Sequence, residues 1–388
     1  MKVRFNLKIF ICNIIFYFPV LYMLLYMVND SLARNLVQFL LVLLVCAELK
    51  LIISNKSNNN KIHLLYTGYI FLIIILAMLL WGYYYLLNLD FYGYILLLLV
   101  FIVFSDESYL NCIHSVVLNE NKFKKLVLIY YFLLLFSILF MNGLQVNDTW
   151  GISLPILYGP FEIPHGLSYT MVLFYCLSSI HLRRTKRKIY LFLMILAIIC
   201  SVWTGVRSGM LALCIIILSD YCSIHNVSKK VLIGGAVICL IIYLALFTNV
   251  LTNNPIIQKT DNAISNGTIS NGRELFSQYL MNYYMTSSLF QKFFGISITG
   301  IRNLMYIQWG SQIHAHNDFI NVLVGYGILG FIPFIYGLIK LCRKAPKYLY
   351  LILVLGLLAY YNGLYMYVGF SPCISILVIF YREIYRKQ

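Results

Sequence analysis

Residues Ile9–Val28 read IFICNIIFYFPVLYMLLYMV, a run of 20 residues without a charged side chain. A helix needs about 20 predominantly apolar residues to cross the hydrocarbon core of a bilayer. Further apolar runs, which approach this length with their flanks, occupy Leu64–Leu80, Leu126–Leu144, Val231–Phe247 and Leu349–Ala359. The sequence therefore predicts a chain that crosses a membrane many times.

The composition excludes a soluble protein. Hydrophobic residues make up 61% of the 388-residue chain, only 11% of its residues are charged, and its mean hydropathy is +0.83. A soluble domain carries about a quarter charged residues, so this chain cannot cover a water-facing surface. Its net charge of +16 comes from short basic clusters between the apolar runs. This placement disfavours a nucleic-acid partner, which would need a continuous basic face.

We predict a single integral membrane domain over residues 1–388, an all-α polytopic fold with about twelve transmembrane helices. These helices are placed at residues 9–28, 35–53, 62–81, 89–104, 125–144, 164–182, 189–204, 207–222, 231–249, 318–339, 348–366 and 369–381. Of the 29 lysines and arginines, 23 then lie on one side of the membrane. Because cytoplasmic loops are enriched in these residues, both termini are predicted in the cytoplasm of a bacterium. The chain would lie in the inner membrane with a periplasmic working face.

Two predicted outer loops stand out by their length. The larger one, a periplasmic loop over residues 250–317, begins polar and then carries apolar residues at helical spacing from Leu275 to Tyr284. This spacing predicts an interfacial helix along the membrane surface. The shorter loop, near residues 145–163, is rich in proline and glycine. Long ordered loops are usually functional, so the larger loop is a candidate site.

The stretch Thr204–Gly209 reads TGVRSG and lies between two short apolar runs. The run before it, Ile189–Trp203, spans about 22 Å as a helix, less than the bilayer core of about 30 Å. Arg207 is therefore expected at the tip of a tight helical hairpin, at or slightly below the outer interface. A charge at this depth needs a partner, water or a cavity. The alternative is an arginine that only extends from a helix end toward water.

In the large loop, residues 271–274 read NGRE. Asparagine and glycine are turn and cap residues, so Arg273 and Glu274 are predicted in the first turn of a helix. The guanidinium of Arg273 can there bind a phosphate through two hydrogen bonds. The alternative is a solvated arginine beside its own glutamate.

Residues 313–318 read IHAHND and directly precede a long apolar run. Ionisable groups at the mouth of a membrane helix are costly to place and are usually functional. A neutral imidazole can take a proton from a hydroxyl, so His314 and His316 are candidate general bases. Asn317 or Asp318 would orient the base. A zinc site lacks a clear third ligand, and a purely structural histidine pair is the other alternative.

Arg207, Arg273 and one histidine are predicted on the same outer face. Arginine forks suit a diphosphate, because they stabilise its charge as a leaving group without a metal. Histidine suits deprotonation of an acceptor hydroxyl, and a membrane-bound donor suits a chain with little soluble mass. The predicted chemistry is the transfer of a group from a lipid diphosphate to an alcohol.

The order of these stretches resembles the O-antigen ligase/polymerase superfamily. TGVRSG, NGRE and HAHNDFI are followed by GYGILG, and the resemblance covers roughly residues 200–340. It implies a GT-C-like membrane fold and undecaprenyl-diphosphate-linked glycans as donor and acceptor, with neither a metal nor a cofactor. The family's usual serine before the first arginine is Val206 here, which weakens the match at that position.

The resemblance also assigns roles to residues. It implies that Arg207 and Arg273 bind the diphosphate. It implies that His316 activates the acceptor hydroxyl or stabilises the transition state, with Asn317 directly after it. His314 is the rival for this catalytic role.

Within the superfamily we favour a Wzy-type O-antigen polymerase, which joins lipid-linked oligosaccharide repeats into a surface polysaccharide. An O-antigen ligase, which transfers the polysaccharide to lipid A-core with the same three residues, is the alternative. A flippase or other transporter is the rival from another class, but it would be expected to carry midplane charges and repeat symmetry. The implied partners are membrane lipid, a chain-length regulator and a flippase.

Overall fold

The computed structural model describes residues 6–54, 59–81, 89–147, 152–225, 273–313 and 315–386, and these ranges are mostly helical. The first part contains α1 (Leu7–Val28), α2 (Asp30–Ser54), α3 (Asn59–Leu76), α4 (Leu89–Val103), α5 (Glu107–Val117), α6 (Glu120–Phe140), β1 (Leu144–Asn147) and β2 (Ile152–Leu157). The second part contains α7 (His165–Thr185), α8 (Lys188–Trp203), α9 (Arg207–His225), α10 (Arg273–Thr286), α11 (Leu289–Phe294), α12 (Ser297–Trp309), α13 (Asp318–Cys342), α14 (Tyr348–Tyr361) and α15 (Ile374–Ile384). A π-helical turn, Ala77–Trp81, extends α3, and a 3-10 turn, Ser371–Cys373, precedes α15.

Five described helices are long and apolar enough to cross a membrane, namely α1, α2, α6, α13 and Lys61–Leu80 of α3 with its extension. α4 and α5 together meet the same criterion, but a 97° bend separates them. The apolar helices α8 and α14 are shorter. This set supports a multi-pass membrane protein. The count of twelve and the GT-C-like architecture stay predictions, and the predicted span 231–249 lies outside the described residues.

The described residues are mostly helical, as predicted, but the loop near residues 145–163 also contains strands that were not predicted. Part of this loop forms a two-stranded antiparallel sheet, in which Leu144 pairs with Leu157 and Val146 with Pro155. The indole N–H of Trp203, at the end of α8, donates to the carbonyl oxygen of Pro155 at 3.0 Å. Two strands of this length leave only a weak periodic signal beside glycine and proline, so the sequence indicated an irregular loop.

Helix α5 occupies a stretch for which the sequence analysis predicted no helix. Its buried residues Tyr109, Ile113 and Val117 recur every four positions, which is the spacing of one helix face. The carboxylate of Asp106 accepts a hydrogen bond from the N–H of Ser108 at 2.9 Å and caps the helix. Its 11 residues are too few to cross a bilayer, so the hydropathy of the sequence does not mark this stretch as a membrane span.

The predicted interfacial segment of the large loop is helical over its described part. It contains α10, α11 and α12, here called the loop helices. They bury Leu280 and Tyr284, while Leu275, Leu289 and Ile307 are largely exposed. Exposed apolar side chains of this kind are typical of helices in the interfacial layer, and this placement of the loop helices stays a prediction. Residues 250–272 of the predicted loop lie outside the described part.

Helix α13 is interrupted at Gly327, whose φ of 65° and ψ of −170° are not helical. A side chain at Gly327 would overlap the carbonyl oxygen of Phe293, at the end of α11. The N–H of Ile296 donates to the carbonyl oxygen of Val324 at 3.0 Å, inside the break. The connection between α11 and α12 therefore packs directly against the backbone of α13 at this break.

Replacing Gly327 with alanine should destabilise the protein by about 2 kcal/mol or more, because a left-handed residue and a steric overlap each carry a cost. Gly356→Ala is the matched control, since it lies inside α14 and a side chain there would meet nothing within 4 Å. The unfolding midpoint of purified protein in detergent measures both. Equal midpoints for the two variants would contradict the role assigned to Gly327.

Polar contacts group at two ends of the helices. At one end, Glu107 pairs with Lys344 at 3.1 Å and with Arg382 at 2.9 Å, and all three belong to segments predicted to be cytoplasmic or next to them. At the other end, Arg302 on α12 pairs with Asp90 at the start of α4. This sorting agrees with the predicted alternation of helix directions. Which end faces the cytoplasm stays a prediction.

Candidate functional site

Arg207 is the first residue of α9 and directly follows a tight turn after α8. In this turn Gly205 has a φ of 66°, a conformation that glycine adopts without steric cost. The hydroxyl of Thr204 accepts a hydrogen bond from the N–H of Val206 at 3.3 Å. The hairpin tip predicted for Arg207 is therefore confirmed. Its half-buried side chain stands at a helix N-terminus, where backbone N–H groups favour an anion.

The residue after Arg207 is held by two other parts of the chain. The buried hydroxyl of Ser208 lies 3.2 Å from the hydroxyl of Tyr169 on α7. The side-chain amide of Asn362, just after α14, donates to the same Ser208 oxygen. Asn362 is also buried. These contacts fix the first turn of α9 against α7 and against the residues that follow α14.

Arg273 is the first residue of α10, as predicted from its turn signal, while Asn271 and Gly272 lie outside the described residues. Its Nη1 donates to the carbonyl oxygen of Tyr361, the last residue of α14, at 2.6 Å. Burial lowers the pKa of the Arg273 guanidinium, and the positive charge of Arg207 lowers it further. Because Asn362, the residue after Tyr361, bonds to Ser208, Arg273 and Arg207 both lie beside the end of α14.

His316 has a φ of 52°, a left-handed conformation that is uncommon outside glycine, asparagine, aspartate and histidine. Such strained residues are concentrated at functional sites. The side-chain oxygen of Asn317 accepts hydrogen bonds from the N–H groups of Phe319 at 3.0 Å and Ile320 at 3.3 Å. Asn317 thus caps α13 and fixes the chain directly after His316. His314 lies outside the described residues.

Asp318 is fully buried at the start of α13. Its Oδ2 accepts a hydrogen bond from the N–H of Leu364 and one at 3.4 Å from that of Tyr365. A side chain at Gly363, which has a φ of 99°, would overlap the other carboxylate oxygen. The carboxylate therefore holds the chain after α14 against the helix that follows His316.

Residues 361–367, here called the 361–367 connection, contact each predicted motif stretch. Tyr361 contacts Arg273, Asn362 contacts Ser208, and Leu364 contacts Asp318, as described above. The predicted span 348–366 is too long, because α14 ends at Tyr361. The physical reason is the Asn362-Gly363 pair, a turn dipeptide whose glycine has a positive φ. This pair was the available signal for a break inside the apolar run.

Tyr367 completes the connection beside His165, the first residue of α7. The imidazole of His165 stacks on the ring of Tyr367, with centroids 5.3 Å apart. Burial and the neighbouring Tyr169 raise the pKa of Tyr367, while the charge of Arg273 opposes this and that of Asp318 adds to it. The ring of Tyr367 also lies against that of Tyr169 on α7, with centroids 5.3 Å apart. No pattern in the sequence had indicated a role for Tyr367.

Arg302 also gains a partner that the sequence did not indicate. Its guanidinium lies 2.5 Å from the carboxylate of Asp90, and both side chains are at least partly buried. The pair ties the loop helices to α4. Within the described residues, no group of three or more histidine, cysteine or acidic side chains could hold a metal ion.

Part of the chain that carries this site is similar to known proteins. Residues 192–335 match the family model described as O-antigen ligase, which supports the O-antigen ligase/polymerase superfamily. The matched region contains Arg207, Arg273 and His316, whereas the 361–367 connection lies beyond it. No curated protein and no solved structure matches the chain. The family implies a glycosyl-transfer type of enzyme that uses lipid-linked glycans.

Proposed function

From the O-antigen ligase match, we propose that this protein is a glycosyltransferase that polymerises undecaprenyl-diphosphate-linked oligosaccharide repeats at the periplasmic face of the inner membrane. The observation that carries the proposal is that Arg207 and Arg273, each the first residue of a helix, are both tied to the end of α14 through Ser208–Asn362 and Arg273–Tyr361. We favour the polymerase over the ligase, the alternative that the name of the matched family also supports.

An anion bound beside Arg207 and Arg273 would be stabilised by both positive charges. Like charges that are partly buried repel each other, and burial makes this repulsion stronger. A diphosphate would offset both charges and could accept paired hydrogen bonds from each guanidinium. The N-termini of α9 and α10 add their positive dipole ends to the same region. Both charge and geometry therefore suit the leaving group of a lipid-linked sugar.

The proposed reaction uses one base and one leaving group. The hydroxyl oxygen of the acceptor sugar attacks the anomeric carbon of the donor, and its proton passes to the imidazole of His316. The bond between that carbon and the diphosphate oxygen breaks, and Arg207 and Arg273 stabilise the departing undecaprenyl diphosphate. Attack from the face opposite the leaving group inverts the anomeric centre. The growing chain would be the donor and the incoming repeat the acceptor.

The test is a gel of surface polysaccharide from a host that lacks the gene. Lipid A-core with a single repeat unit and no ladder supports the polymerase, because one unit can still be flipped and ligated. Core without repeats, with long glycan retained on the lipid carrier, supports the ligase. Core without repeats and single units held on the cytoplasmic leaflet indicates a flippase and overturns the proposal.

The hydrogen bond between Asn362 and Ser208 can be tested for its effect on activity. Asn362→Ala and Ser208→Ala should each slow polymer formation about tenfold, because loss of a buried hydrogen-bond partner costs about 1–3 kcal/mol. The double variant should be no worse than Ser208→Ala alone, since that change already removes the contact with Asn362 together with the one to Tyr169. Polymer formed by membrane vesicles, normalised to immunoblotted protein, measures this. Additive losses would show that the two residues act separately.

A further inference from the structure

A second polar region lies at the opposite end of the helices from the candidate site. It is an open cavity of about 780 Å³ at the C-terminal end of α13, bordered by the end of α15 and the start of α5. Four basic residues line it, namely Lys340, Arg343, Lys344 and Arg382. Glu107 is the single acidic residue among the lining residues. The cavity therefore carries a surplus of positive charge.

Part of this cavity is held in a fixed arrangement. Arg382 contacts both carboxylate oxygens of Glu107, at 2.9 and 3.0 Å, and its Nε donates to the carbonyl oxygen of Lys344 at 2.8 Å. The ammonium of Lys344 lies 3.1 Å from the same carboxylate. Glu107 is thus shared by two cations. Among the described residues, no carboxylate lies within ion-pair distance of Lys340 or Arg343.

The wall of the cavity continues into an apolar stripe. Lys340 lies over the ring of Tyr336, with its ammonium 5.8 Å from the ring centroid. Ile332 lies one turn before Tyr336 on α13, and Ile328 lies two turns before it. These three side chains form the stripe, and their exposed fractions range from 36% to 59%. Residues four apart lie on one helix face, so the stripe leads from the basic cavity toward the middle of the predicted span.

We propose that this cavity binds the phosphate of an anionic glycerophospholipid, with the acyl chains along the stripe of α13. Arg343 supplies a planar fork for the phosphate oxygens, and Lys340 supplies a second mobile cation. Basic pockets between membrane helices at the cytoplasmic side commonly bind lipid head groups of this charge. The competing explanation is that these cations only set the topology and bind no lipid in particular.

The test is native mass spectrometry of the purified full chain with added phosphatidylglycerol or phosphatidylcholine. Each cation beside an anionic lipid contributes about fivefold in affinity, so Lys340→Gln with Arg343→Gln should weaken phosphatidylglycerol binding about 30-fold. Arg184→Gln with Lys188→Gln is the matched control, because both side chains are exposed at the same end outside this cavity. The control pair should leave binding within about twofold of wild type, allowing for ordinary scatter.

Three outcomes would overturn the proposal. Equal binding of the two lipids by wild type would show that the cavity has no charge preference. Equal losses in the two double variants would assign the effect to general surface charge. Displacement of lipid by inorganic phosphate as effectively as by phosphatidylglycerol would indicate a small-anion site in place of a lipid site. Unfolding midpoints in phosphatidylcholine confirm that each variant is folded.

Discussion

Arg273→Ala is expected to abolish the polysaccharide ladder while the amount of protein in the membrane stays unchanged. Removal of one preorganised donor to a developing anion lowers turnover about 10²- to 10³-fold. In this chain the change also removes the hydrogen bond from Nη1 to the carbonyl oxygen of Tyr361. Arg273→Lys should retain part of the activity, because it keeps the charge but loses the planar fork. Polysaccharide gels and immunoblots of the same cells measure both effects.

Arg34→Ala is the matched control for this experiment. Arg34 also lies in the first turns of a helix at the predicted outer end, but it is largely exposed and pairs with Asp30 on its own helix. Exposed pairs of this kind contribute little to stability. A normal ladder from the Arg273→Ala strain would contradict the diphosphate role. Loss of the ladder in both variants would point to a general defect.

His316→Ala should likewise abolish polymer formation, by a factor of about 10² or more for loss of a general base. Alanine is also strained at this position, because the backbone of His316 is left-handed with a φ of 52°. His316→Asn resolves the problem, since asparagine tolerates the left-handed conformation but cannot act as the base. The two variants should be equally inactive, and His316→Asn should be the better folded of the two. Polymer synthesis in membrane vesicles with purified lipid-linked repeats measures the loss.

The histidine comparison also separates the two candidates. His314→Ala is expected to keep substantial activity if His316 is the base. An active His316→Asn variant together with an inactive His314→Ala variant would transfer the role to His314. Activity in both the His316→Asn and the His314→Ala variant would reject general-base catalysis by either histidine. Binding of the lipid-linked donor, measured separately, should persist in all of them because the arginines are intact.

The positions of the helices could be predicted from the sequence where an apolar run and a turn signal agree. The TGVRSG stretch placed Arg207 at a hairpin tip, and NGRE placed Arg273 at a helix start, and both hold in the structure. Hydropathy measures the length of an apolar run, but it is insensitive to a break within one. It therefore carried the predicted span through Asn362 and Gly363, where α14 has already ended.

The predicted topology assigned Arg207 and Arg273 to the same side of the membrane, so a shared location could be expected from the sequence. The contacts that hold them could not be predicted in the same way. Asn362 lies 154 positions from Ser208, and Leu364 lies 46 positions from Asp318. No local pattern encodes such pairs, because each depends on how separate helices pack. The assignment of catalytic and binding roles to these residues stays a prediction.

The interruption at Gly327 divides α13 into two segments with different contacts. Residues before Gly327 are joined to the loop helices through Ile296 and Val324, whereas residues after it run toward the basic cavity. His316 is attached to the first part. The loop helices and the 361–367 connection therefore both hold the part of α13 that carries His316, the former through Val324 and the latter through Asp318.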